Sequence, residues 1–166
     1  MLNEKTLTEL KRFLEINLKN KSMTQIEQKI DYNIYESPLQ INQMKSYVKN
    51  HRKPSFQQLL FQLIDEKGAS DTDIYKKAWI DRRHFSKIRS NPNYRIGKNT
   101  AIALALALEL TLASAEELLE AAGFSLSDSD TSDLIIKFCL KNKIYNLHDV
   151  NEALEYLNEK PITNHS

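Results

Sequence analysis

The chain has 166 residues, of which 27% are charged and 41% hydrophobic, a balance that is ordinary for a folded globular protein and excludes a disordered or collagen-like one. Residues 1–55 carry ten Lys or Arg against six Asp or Glu, residues 56–98 nine against five, and residues 99–166 four against eleven, so a basic part precedes an acidic one. There is no run of about 20 apolar residues and the first residues are charged, so we expect neither a membrane span nor a signal peptide. The single cysteine, Cys139, cannot form an internal disulfide, which suits a cytoplasmic protein.

The first 55 residues predict one helix followed by a polar connection. From Leu7 to Leu18 apolar residues recur at three- and four-residue intervals, which predicts an amphipathic helix over residues 3–18. Residues 19–55 are less regular, and Pro38 and Pro54 restrict the residues before them. We expect this connection to fold only in part, with a helical turn or two near its end.

Residues 56–123 predict five helices separated by short breaks. An apolar stripe begins at Phe56 and stops before Gly68, a residue suited to the left-handed end of a helix. Ser70 and Asp81 can each cap the start of a following helix, because their side chains accept hydrogen bonds from free backbone N–H groups. The run NTAIALALALEL is apolar on every face and predicts the central buried helix, and a fifth helix over about residues 113–122 closes at Gly123.

The acidic end of the chain adds two amphipathic segments, DLIIKFCLKNK and HDVNEALEYLNEK, within an extension of residues 124–160. The last residues, 161–166, are expected to fray. The predicted fold is therefore all-α: a five-helix core with an N-terminal helix and two additional C-terminal helices.

The order of residues from Gly68 to Leu110 is typical of two helices joined by a tight turn. A polar cap is followed by Ala78, where two helices can approach closely, by apolar Ile80, and by Phe85 and Ile88 as inward residues of the second helix. Over residues 56–123 the sequence resembles the Cro/lambda-repressor (XRE-type) helix-turn-helix family. The resemblance implies a five-helix domain of that type and binding to double-stranded DNA, and hence a bacterial transcriptional regulator without catalytic activity.

The helix after Asp81 would then be the one that enters the major groove of DNA. Arginine there can pair with guanine O6 and N7, so base contacts are expected from the leading end of this helix: Arg82, Arg83, His84 and Lys87. Nearby cations and a hydroxyl would position the DNA backbone, namely Lys76, Lys77, Ser86, Arg89, Arg95 and Lys98. Because one short helix reads few base pairs, a homodimer is expected, with the N-terminal helix or the acidic C-terminal helices in contact. The alternative is that these charges form only a solvated helical face.

A second resemblance leaves another function open. The sequence from Ile80 to about residue 157 is similar to the helical C-terminal region attached to some bacterial macrodomain proteins and other signalling or defence proteins. In that setting the chain would be a non-enzymatic adaptor that binds a protein partner, and its basic helix could dock on an acidic surface.

We predict no catalytic site, metal site or cofactor. Residues 128–132 begin like a calcium loop, but Asp133 stands where glycine is needed and Cys139 where a bidentate acid is needed, so a capped helix start explains them better. The four histidines lack zinc-ligand spacing, and no base accompanies Ser86 in any nucleophile motif. His84 could instead pack partly buried on Trp79, which is itself expected in the core.

Overall fold

The computed structural model describes residues 4–17 and 38–163, and the regular structure of these ranges is entirely helical. This confirms the all-α prediction for the described residues. The chain divides into two compact units, residues 1–52 and residues 53–166. The first unit contains α1 (Glu4–Asn17) and α2 (Pro38–His51). The second contains α3 (Phe56–Lys67), α4 (Asp71–Lys77), α5 (Arg82–Ser90), α6 (Lys98–Ala107), α7 (Leu112–Ala121), α8 (Thr131–Lys141) and α9 (Leu147–Tyr156).

Short polar residues set where the helices of the second unit begin. The Ser55 hydroxyl accepts from the Gln58 N–H at 3.2 Å while the Gln58 side chain accepts from the Ser55 N–H at 3.0 Å, which forms a capping box at the start of α3. Ser70 and Asp81 cap α4 and α5 as predicted, and α3 ends at Gly68 with φ 69°. These contacts satisfy backbone groups that a helix end would otherwise leave unpaired.

Helix α6 is the centre of the core of the second unit. Its residues from Ala101 to Ala107 are all at most 3% exposed, as the apolar sequence predicts. Helix α6 packs against α4 and α7, α7 packs in addition against α3 and α8, and α8 packs against α9. The two C-terminal helices therefore join the same core as the five helices before them. Cys139 lies in that core, fully buried.

The first unit differs from the sequence prediction in one respect. Helix α2 is 14 residues long rather than a turn or two. Pro38 is its first residue, a position where the missing N–H costs nothing and the fixed φ suits a helix. Lys49 lies in the last turn, where positive charge interacts favourably with the helix dipole. The predicted helix over 3–18 corresponds to α1, while Asn3, Leu18 and residues 19–37 lie outside the described residues.

Residues 161–163 are more ordered than the sequence predicts. Residues 161–166 were predicted to fray, but the buried Asn151 side chain accepts from the Ile162 N–H at 2.8 Å and donates to the Thr163 carbonyl at 2.9 Å. Ile162 is itself buried, at 7% exposure. This paired backbone and the buried side chain hold residues 161–163 against the core. Residues 164–166 lie outside the described part of the chain.

Candidate nucleic-acid interface

The turn between α4 and α5 fixes how the second of these helices is presented. Ala78 ends α4 fully buried, and Trp79 follows in the left-handed conformation with φ 54°. The Trp79 N–H donates to the Lys76 carbonyl at 3.1 Å and the Ile80 N–H to the Tyr75 carbonyl at 2.9 Å, the pair of bonds that closes a Schellman motif. Bulky residues rarely adopt positive φ, because this conformation is strained for them. Packing of the half-buried Trp79 ring against the core offsets that strain and keeps the turn in this geometry.

Helix α5 buries one face and exposes the other. Phe85 and Ile88 are at most 3% exposed, and the Phe85 ring meets the rings of Phe61 and Tyr75 at centroid distances of 5.8 and 5.6 Å. At its carboxyl end, the Gln57 side chain of α3 donates to the Ile88 and Arg89 carbonyls. A helix held at both ends and along one face presents its other side chains in a fixed arrangement.

The outward face of α5 carries exposed cations. Arg82, Arg83 and Lys87 are exposed, as is Ser86 between them. None of the three cations forms an ion pair with another residue of ranges 4–17 and 38–163, and Arg82–Ser90 contains no acidic residue. The nearest acid in sequence, Asp81, accepts from the Arg83 N–H at 2.9 Å as the helix cap. The positive charge of this face is therefore available to an external anion.

Arg89 has a structural partner within the chain. Its guanidinium donates to both carboxylate oxygens of Asp71, at 2.6 and 2.7 Å, and lies 4.2 Å from the centroid of the Phe61 ring. The pKa of Arg89 is raised because of the hydrogen bond to Asp71. This bidentate pair ties the last turn of α5 to the first turn of α4 and neutralises the charge that the sequence offered to phosphate.

The remaining predicted contact residues also divide into exposed ones and ones that contact another residue of the chain. Lys76 and Lys77, in the last turn of α4, are exposed, and so is Arg95 in the loop after α5. Lys98 instead donates to the buried carboxylate of Asp133 at 2.7 Å. His84 is half-buried, with its ring 5.7 Å from the Tyr94 ring and edge-on to it. Six of the ten predicted contact residues are thus exposed cations that form no ion pair or side-chain hydrogen bond within residues 4–17 and 38–163: Lys76, Lys77, Arg82, Arg83, Lys87 and Arg95.

Sequence reasoning missed the residues that hold α5 in place. Asp71 and Gln57 contact α5 residues 18 and more than 30 positions away, and Asp133 is 35 positions from Lys98. No periodicity or capping signal reports such pairs, because those signals act within a few residues. The one available hint was charge, since Asp71 belongs to the acidic first turn of α4.

Comparison with known proteins returned no matching family model, no matching curated protein and no matching solved structure. Among the helices of the described residues, none is both long and apolar enough to cross a bilayer. The same residues hold no cluster of three or more His, Cys, Asp or Glu side chains suited to a metal ion.

Proposed function

We propose that this protein is a sequence-specific double-stranded DNA-binding protein, a cytoplasmic transcriptional regulator in which α5 enters the major groove. In this proposal α3 to α7 form a Cro/lambda-repressor-like domain, with α4 and α5 as its helix-turn-helix. The observation that carries the proposal is the outward face of α5, where Arg82, Arg83 and Lys87 lie in solvent without an internal ion pair among the described residues.

The side chains on this face suit a duplex better than a generic anion. Arginine can donate two parallel hydrogen bonds to O6 and N7 of guanine, and a good pair of this kind contributes about 1–3 kcal/mol of discrimination. Arg82 and Arg83 occupy the first turn of α5, the end of a recognition helix that usually meets base edges. Lys87 lies one turn further along the same helix, where it can contact a base or a phosphate.

Backbone contacts are assigned to the exposed cations beside α5. Lys76, Lys77 and Arg95 fill this role, while Arg89 and Lys98 serve the fold through their pairs with Asp71 and Asp133. Each phosphate neutralised lowers the slope of log K against log salt by about 0.9. Three such contacts predict a slope of about −3 for each copy, before any contribution from base-contacting residues.

Binding can be tested by selecting duplexes from a random library with the full chain and titrating the selected duplex by fluorescence anisotropy. Replacing Arg82 and Arg83 by Ala should weaken binding to the selected duplex by about 5- to 150-fold for each guanine that an arginine reads, and should reduce the preference for that duplex over random sequence. Lys77→Ala should weaken binding to the selected duplex and to random duplexes equally, and it should make the slope of log K against log salt shallower by about one.

The matched control is Lys141→Ala, which removes the same charge from the end of α8 and should leave both affinities unchanged. Binding that is insensitive to salt, or the same loss from Lys141→Ala as from the α5 variants, would contradict the proposal. Failure of the selection to enrich any sequence would do so as well and would favour docking of α5 on an acidic protein surface.

A further inference from the structure

The exposed large apolar side chains of the described residues fall into two sets of four. One set lies on α2: Ile41, Met44, Tyr47 and Val48. The other lies on α8, α9 and the residue after α9: Leu134, Phe138, Tyr156 and Leu157. Among the other large apolar residues whose side chains the structure describes, all are buried or half-buried. Clustered exposed apolar groups mark surfaces that another molecule covers.

The C-terminal set lines a groove of about 700 Å³ between α8 and α9, which we call the acidic groove. Leu134 and Phe138 contribute one wall from α8, and Tyr156 contributes to the other from α9. Phe138 is 59% exposed and Tyr156 85%. Asp149 and Glu152 also line the groove, are exposed, and have no ion pair within the described structure. The groove therefore offers apolar contact beside uncompensated negative charge.

The N-terminal set has the opposite charge, and we call it the basic stripe. Ile41, Met44 and Val48 follow each other on α2 at spacings of three and four residues, so they share one face of the helix. Lys45 and Lys49 flank them, and both are exposed without an ion pair within the described ranges. Helix α2 contains no acidic residue. A helix with apolar anchors at such spacing is the shape that binds in an apolar groove.

We propose that the basic stripe of one copy of this chain binds in the acidic groove of a second copy, and that the exchange is reciprocal. Opposite charges then meet in both contacts, which favours this pairing over others. A contact between two acidic grooves would bring Asp149 and Glu152 of both copies together, and a contact between two basic stripes would bring their lysines together. Both contacts would be repulsive. Two equal contacts related by a two-fold axis close the assembly as a dimer rather than a filament.

The inference goes beyond the proposed function and does not rest on it, since the dimer forms without DNA. It gives one partner to both sets of exposed apolar side chains. A dimer would also supply two α5 helices for two half-sites.

The test is sedimentation equilibrium of the full chain without DNA, using two charge-reversed variants. One variant carries Asp149→Lys and Glu152→Lys, and the other carries Lys45→Glu and Lys49→Glu. All four positions are exposed, and circular dichroism of each variant checks that the helices are kept, because the reversals at Asp149 and Lys49 oppose the dipoles of α9 and α2. We expect a dimeric wild type and a dimerisation constant weaker by about tenfold or more in each variant alone.

Mixing the two variants in equal amounts should restore the dimer, because the basic stripe of one then meets the acidic groove of the other and the reversed pair is also complementary. The control, Lys76→Glu with Lys77→Glu on α4, changes charge equally and should leave the dimer intact. A monomeric wild type, variants that dimerise as tightly as the wild type, or a mixture that dimerises no more tightly than either variant alone would each overturn the proposal.

Discussion

The substitution Asp133→Ala tests how burial determines the strength of a lysine–carboxylate pair in this protein. Asp133 is 4% exposed, and its Oδ2 accepts from the Lys98 ammonium at 2.7 Å and from the Ser127 N–H at 2.8 Å. The chain offers a matched control in Asp128, whose Oδ1 accepts from the Lys137 ammonium at the same 2.7 Å. The Asp128 side chain, however, is 78% exposed.

The expected loss of stability in Asp133→Ala comes from the two donors that the carboxylate now binds. The Ser127 N–H loses its acceptor at a partly buried position, and Lys98 loses its counter-charge. Hydrogen bonds to charged groups contribute about 1.5–3 kcal/mol. The Lys98 side chain is one-third exposed and can regain water, so we place the total loss at about 2 kcal/mol. Asp128→Ala should leave the free energy of unfolding close to that of the wild type, because the Asp128 carboxylate lies in solvent and Lys137 keeps Glu116 as a second partner at 3.7 Å.

Urea unfolding of the full chain, followed by the fluorescence of its single tryptophan, Trp79, measures both variants in the unit of residues 53–166. A shift of the midpoint with an unchanged m value reports a loss of stability alone. Equal destabilisation by Asp133→Ala and Asp128→Ala would refute the argument that burial, rather than distance, determines the contribution of the pair.

Three further predictions concern helix ends and the core. Lys143 has φ 57° just after α8, a conformation that glycine adopts without strain, so Lys143→Gly should raise the free energy of unfolding by about 0.5–1 kcal/mol. Lys141 lies inside the last turn of α8, so Lys141→Gly should lower the free energy of unfolding by about as much. Urea unfolding of both variants checks the two signs. Burial raises the pKa of the Cys139 thiol, so its reaction with a disulfide reagent at pH 8 should be far slower than that of free cysteine until urea unfolds the chain. Ala78→Leu should overpack the core at the end of α4 and lower the free energy of unfolding by about 1–3 kcal/mol, measured against the exposed Ala113→Leu as control.

Local chemistry made much of the second unit predictable. Ser70 and Asp81 cap helices because a short side-chain oxygen reaches the N–H two or three residues ahead, and nothing distant alters that reach. Gly68 adopts positive φ without strain, so it marks the end of α3. The all-apolar run of α6 could be stable only if surrounded by other helices. Each of these signals is contained within a few consecutive residues.

Contacts between distant residues were not predictable in this way. Charge on α5 could be counted from the sequence, but which cations remain available depended on Asp71, which engages Arg89, and on Asp133, which engages Lys98. The order at Ile162 likewise depends on Asn151, a polar residue with no local reason to be buried. A single sequence contains the members of such pairs without indicating that they meet.

The most direct measurement of the central claim is a guanine scan of the selected duplex, in which each guanine is replaced in turn by 7-deazaguanine. That base lacks the N7 acceptor in the major groove but pairs normally with cytosine. If Arg82 or Arg83 reads a guanine, one replacement should weaken wild-type binding by about 5- to 150-fold and have little further effect on the corresponding Arg→Ala variant. A selected site in which every guanine tolerates the replacement, or in which the losses in base and protein simply add, would contradict the placement of α5 in the major groove.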